Sequence, residues 1–134
     1  MKGGETEVIE RVVEEPTSGS DTISCPTPND CFAVGTYSSP KDSPFAEHWS
    51  GTRWSLMSIP DPEGVNEDLN ALYCPSAHQC VAVGDWYVSL SQHTFPFTEV
   101  WDGASWRRVA AAGTGQELTG VSCPAANDCL AVGG

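Results

Sequence analysis

One phrase is written three times in this chain. It reads ISCPTPNDCFAVGT at residues 23–36, LYCPSAHQCVAVGD at 72–85 and VSCPAANDCLAVGG at 121–134. Cys25, Cys74 and Cys123 stand 49 residues apart, and Cys31, Cys80 and Cys129 keep the same spacing. Ala-Val-Gly follows each pair, at 33–35, 82–84 and 131–133. A second phrase recurs as EHWSGTRW at 47–54 and EVWDGASW at 99–106, so Glu-x-Trp-x-Gly-x-x-Trp returns at an offset of 52. The three additional residues fall between Gly84 and Glu99. A chain of this kind folds as an array of one small unit, because a single unit cannot bury both of its own faces.

Each unit reads as four short strands. The first is DLNALYC (68–74) or LTGVSC (118–123), and the second is CFAVGTY (31–37) or CVAVGDWYV (80–88). The third is FAEHW (45–49) or FTEVW (97–101), and the fourth is RWSLMSI (53–59) or SWRRVA (105–110). Val, Trp, Tyr and Phe fill these runs, and Gly, Pro, Asn and Asp separate them, which are strand and turn signals. Nothing in the repeats carries a helical period. Four antiparallel strands in a period of about 49 residues match a β-propeller blade. The expected fold class is therefore all-β, a β-propeller fragment of about 2.7 four-stranded antiparallel blades. The blades are expected at 22–66, 67–115 and, in part, 116–134. Residues 1–21 read as a partial strand of a preceding blade or a disordered acidic lead.

The repeated residues have structural explanations. Five residues separate the cysteines of each pair, so a hairpin turn brings them to bridging distance and predicts the disulfides Cys25–Cys31, Cys74–Cys80 and Cys123–Cys129. Structural zinc prefers closer cysteines and stands as the rival, with free thiols a third reading. Ala-Val-Gly supplies small side chains for a crowded inner strand, and Gly35 and Gly84 relieve crowding or start a bulge. Gly51 and Gly103 make a turn, and the tryptophans at 49, 54, 101 and 106 fill space between units. Glu47 and Glu99 recur at equivalent positions, which suits a structural hydrogen bond or a solvated edge better than a pair of glycosidase carboxylates. His48 is expected to point outward.

The pattern [ILV]-[SY]-C-P-x4-C-x-A-V-G, then E-x-W-x-G-x-x-W, resembles the propeller-like repeat of secreted or cell-surface bacterial proteins, particularly of actinobacterial type. The resemblance covers about residues 22–134. It implies repeated four-stranded blades and an extracellular setting, and it names no activity. The Gly-x-x-Trp turn also resembles part of the sialidase box Ser-x-Asp-x-Gly-x-x-Trp. Here Trp49 and Trp101 stand where the Asp belongs. Arg11, Arg53, Arg107 and Arg108 do not recur as an arginine triad would require, so the resemblance to sialidases stops at turn geometry.

The formal net charge of −12, with only six Lys and Arg, argues against nucleic acid and anionic membrane as partners. No apolar run reaches the 18 residues or so of a membrane span. The opening MKGGETEVIERVVEEP has no apolar core of a signal peptide as written. Paired cysteines call for an oxidising compartment. The two agree if the natural start lies upstream, so a fragment of a longer chain is expected, with a ring assembled from several copies as the rival. The expected localisation is extracellular or cell surface.

Function is sought in what does not repeat. The connections at 37–45, 60–68, 86–97 and 111–117 vary and are expected at one end of the blades. WYVSLSQHTFPF (86–97) offers Trp86, Tyr87, His93, Phe95 and Phe97, and PDPEGVNEDL (60–69) offers Asp61, Glu63, Glu67 and Asp68. Aromatic rings beside acids suit carbohydrate, and the acids alone suit Ca²⁺ through oxygen ligands. Their spacing does not follow the EF-hand, so no metal is expected. No nucleophile elbow, zinc-protease helix or phosphate loop appears, so no catalytic residue and no cofactor are expected. The expectation is a non-enzymatic binding or scaffolding segment toward glycan or protein, with neighbouring blades or self-association as further partners. The alternatives are part of a glycan-active hydrolase and a purely architectural cell-surface repeat.

Overall fold

A computed structural model describes residues 20–38, 41–88, 93–109 and 117–133. Among these, every regular element is a strand. The first unit holds β1 (Ser20–Thr27), β2 (Asp30–Ser38), β3 (Asp42–Trp49) and β4 (Trp54–Met57). The second holds β5 (Val65–Ser76), β6 (Gln79–Val88), β7 (Phe95–Trp101) and β8 (Trp106–Val109). The third holds β9 (Gly120–Ala125) and β10 (Asp128–Val132). Strands pair antiparallel in sequence order, giving two four-stranded sheets and one two-stranded sheet. The all-β, antiparallel expectation holds. The proposed strand of residues 1–21 lies outside the described residues up to position 19.

The Cys-Pro phrase works through a bulge. Register shifts between Ser24 and Thr27, between Tyr73 and Ser76, and between Asp128 and Leu130. A proline cannot donate to a ladder, and each shift takes Pro26, Pro75 or Pro124 out of it. The turn that follows is tightened by its own side chains: Thr27 Oγ1 donates to Asp30 Oδ2 at 2.9 Å, and Ser76 Oγ accepts from His78 N at 3.1 Å. The cysteines then face each other with Cα atoms 4.0 Å apart, and all three predicted disulfides form.

The second phrase closes the other hairpin. Gly51 and Gly103 have φ of +100° and +97°, where glycine is favoured. Asp102 Oδ1 accepts from both Ala104 N and Ser105 N at 2.9 Å. These turns lie against the cysteine turns: a Cβ at Gly51 would stand 3.1 Å from Asn29 Oδ1, and one at Gly103 3.3 Å from His78 Nδ1. The paired tryptophans Trp49–Trp54 and Trp101–Trp106 pack across each hairpin with centroids 5.7 and 5.9 Å apart. Trp101 Nε1 also donates to Ala77 O at 3.2 Å, tying hairpin to turn. His48 does not point free into solvent as expected. It is half-buried, with Nε2 2.9 Å from Asp30 Oδ1 and its ring 4.8 Å from Phe32.

The sheets stack face to face in an open series. β5 lies against β1 on one side and β9 on the other. Phe32, Val34 and Ala46 of the first sheet meet Leu69, Leu72, Ala82, Phe97 and Trp106 of the second in one apolar core. Val81 and Val83, from the opposite face, meet Leu118, Val121 and Cys123. Burial of these side chains is the main stabilising term. Polar rungs fix the stacking register. Cys74 N donates to Ser24 Oγ and Leu69 N to Thr36 Oγ1, each at 3.0 Å. Gln79 and Asn127 exchange a reciprocal pair at 3.1 and 3.2 Å.

Candidate functional site

The irregular connections sit at the end of the sheets away from the disulfides, but less of the chain is loop than the sequence suggests. β2 and β3 stay paired out to Ser38 and Asp42, and β6 and β7 out to Trp86 and Phe95. β5 begins at Val65. Trp86, Tyr87, Phe95, Phe97, Glu67 and Asp68 are therefore strand residues, held on rigid backbone. The cause is antiparallel pairing of polar and aromatic residues on twisted hairpins, which continues beyond the repeated phrase. Residues 39–40, 89–92 and 110–116 lie outside the described part of the chain.

Two of the predicted aromatic residues come together. Trp86 and Phe95 oppose each other and stack, with centroids 4.6 Å apart and planes 28° from parallel. Phe95 is 44% exposed and Trp86 partly so. Tyr87 follows in β6 and donates its hydroxyl to Asp42 Oδ2 at 2.6 Å. Two of the candidate residues are placed differently from expectation. Phe97 is only 2% exposed and belongs to the core, because its position faces the first sheet. Glu67 is fully buried and pairs with Arg108 Nη2, which leaves it unavailable to a ligand. Asp61 lies in the connection before β5 and binds Lys41 Nζ at 2.5 Å. Glu63 and His93 are exposed on the connections.

On the face of the second sheet opposite the aromatic pair runs a polar stripe that the candidate residues sampled only once. Asn66, Asp68 and Asn70 alternate along β5; Asn66 opposes Tyr87, and Asp68 opposes Asp85. Asp42 N donates to Asn66 Oδ1 at 2.9 Å. Asn70 Nδ2 donates to Asp85 Oδ1 at 2.9 Å and to Leu118 O at 2.8 Å. The strand alternation in VNEDLN was the signal for Asn66 and Asn70. Asp42 and Asp85 gave none, since they reach the stripe only through sheet pairing and stacking.

The electrostatics follow from crowding acids. The hydrogen bond from Tyr87 holds Asp42 below the usual carboxylate range, and Asp42 in return pushes Tyr87 up to about 12. Burial, and then the charges of Asp42 and Asp85, push Asp68 up to about 7. Burial also raises Asp85. Asp68 thus holds a proton in the folded chain that an unfolded chain releases near 3.8. Its contribution to stability is complete below that value and is lost as pH rises through about 7. Glu99, raised by burial to about 7, adds the same sign. Urea midpoints should therefore fall as pH rises from about 5 to about 8. Asp68→Asn should flatten that slope while leaving Glu99's share; an unchanged slope would contradict the assignment.

No group of three or more His, Cys, Asp or Glu among the described residues has the arrangement of a metal site. No helix among them is long and apolar enough to cross a membrane. No protein family, curated protein or solved structure matches this chain.

Proposed function

We propose that the chain is a segment of an extracellular β-propeller repeat protein and serves as a non-enzymatic binding module toward glycan. The observation that carries this reading is the stacked, half-open Trp86–Phe95 pair. A flat ring suits the C–H face of a sugar. Rigid strands hold the pair, which limits the ordering cost of binding. Four-stranded antiparallel sheets, stacked in sequence order, support the propeller architecture. Three disulfides are compatible with an extracellular protein. Glu47 and Glu99 are each 0% exposed, which favours binding over the glycosidase alternative.

A glycan array followed by calorimetry on the best sugar tests the proposal. Saturable binding is expected, weakened about tenfold or more by Trp86→Ala and by Phe95→Ala. Phe95 is the cleaner variant, because Trp86 also packs on the core. Absence of binding to any sugar, or binding indifferent to Phe95→Ala, would overturn it.

A further inference from the structure

Asp42 ends the β2–β3 pairing, opposite Ser38, and reaches across the boundary to the second unit. Its backbone N donates to Asn66 Oδ1 at 2.9 Å, and its Oδ2 accepts the Tyr87 hydroxyl at 2.6 Å. A further hydrogen bond joins its carboxyl group to that of Asp68. An ionised carboxylate only accepts, so two carboxyls are hydrogen bonded to each other only while one of them holds a proton. The surroundings decide which one does. Tyr87 donates to Asp42, which keeps Asp42 ionised, whereas Asp68 is half-buried opposite the buried Asp85. The charges facing the pair oppose a second ionisation. Asp85 repels it from β6, and Glu117, ahead of β9, repels Asp85 in turn. Lys41 attracts Asp42 but is itself paired with Asp61. Tyr87 stays a neutral phenol up to about 12.

We infer that the Asp42–Asp68 carboxyl pair is a proton-operated latch between the first two units. One shared proton closes it, and loss of that proton frees the Asp42 end of the β2–β3 hairpin from β5 and β6. Two carboxylates in contact repel each other, and they regain full hydration only by parting. Asp68 titrates at about 7, so the latch is closed below that pH and opens as pH rises through it. The rest of the boundary takes no part. Ser24 still holds Cys74, Thr36 still holds Leu69, and the core between the sheets is apolar. The Glu67–Arg108–Glu99 cluster also titrates, but its ion pairs lie within the second sheet. Opening is therefore confined to one end of the boundary, and the fold is kept. This device is independent of the glycan reading and uses neither Trp86 nor Phe95.

Hydrogen exchange of the Asp42 amide is the test, because its acceptor lies across the boundary. On the full chain, corrected for intrinsic exchange, its protection should fall about tenfold or more between about pH 6 and about pH 8.5. The amides of Val34 and Ala82, in the interior strands β2 and β6, should stay about a hundredfold better protected than Asp42 at the higher pH. Asp68→Asn supplies a permanent N–H donor to Asp42, so its protection should then vary by less than about twofold over the same range. Asp85→Asn removes a charge that opposes ionisation of Asp68, so the latch should open at lower pH than in the parent chain. Asp42 protection that ignores pH, or that falls as far in Asp68→Asn, would overturn the inference. So would an opening pH unmoved by Asp85→Asn. Asp42 and Val34 equally protected at about pH 8.5 would also overturn it, since the contact then opens only when the whole chain unfolds.

Discussion

Replacing Arg108 with alanine should destabilise the chain by about 3–5 kcal/mol, the largest effect expected of any single side chain here. Arg108 reaches from β8 to two carboxylates. Its Nη2 pairs with Glu67, and its Nε stands 3.3 Å from Glu99 Oε2. Both glutamates are 0% exposed, whereas the Arg108 side chain as a whole is 32% exposed and its guanidinium lies 4.4 Å over the Phe97 ring. Removing the cation leaves two acids buried with no positive charge between them, and neither can be rehydrated without opening the sheet stack. The cost should shrink at low pH, because Glu99 already titrates near 7 and takes up a proton readily. Urea unfolding at pH 8 and pH 5 measures both effects. Adding Glu67→Gln and Glu99→Gln to Arg108→Met should recover most of the loss, since the charges that needed the arginine are then gone. A loss under about 1 kcal/mol at pH 8 would mean that the cluster is solvated, as surface ion pairs are.

Gly84→Ala should cost at least about 3 kcal/mol for a different reason. A Cβ there would stand 1.8 Å from the carbonyl oxygen of Asp68 and 2.8 Å from its carbonyl carbon. The obstacle is backbone of the paired strand, so β5 and β6 must part at the bulge where the Asp68–Asp85 pair sits. Gly64→Ala is the comparison. Nothing lies within 4 Å of a Cβ at that position, and only its φ of +76° is unfavourable, so about 1 kcal/mol is expected. Similar losses at the two positions would contradict the close approach at Gly84. The same approach recurs one unit later, where a Cβ at Gly133 would meet Glu117 O at 1.8 Å. In the second and third units Ala-Val-Gly therefore ends in glycine because neighbouring backbone crosses there.

These two positions show what the residues alone could and could not reveal. Gly84 was legible, because repetition marked it and a bulge or crowding was the natural reading. The disulfides and both kinds of hairpin turn were legible for the same reason, since each rests on contacts a few residues apart. The Glu67–Arg108–Glu99 cluster was not. Its arginine corresponds to Leu56 in the first unit, so repetition gave no hint, and Glu67 looked like a loop acid until β5 was seen to start at Val65. The candidate site divides likewise. Trp86 and Phe95 could be suspected as exposed aromatics, and their stacking depends on a register that polar neighbours obscured. Asp42 enters the site from another sheet, through a contact 45 residues distant from Tyr87, and no local pattern announces it.

One disulfide-stapled antiparallel unit repeats along this chain, and we propose that it matures in an oxidising compartment. The test is to take the protein from its native host, block thiols at harvest and map linked peptides without reduction. Cys25–Cys31, Cys74–Cys80 and Cys123–Cys129 are expected, with no blocked thiol. Free cysteines in the harvested protein, or links that join one unit to another, would contradict it.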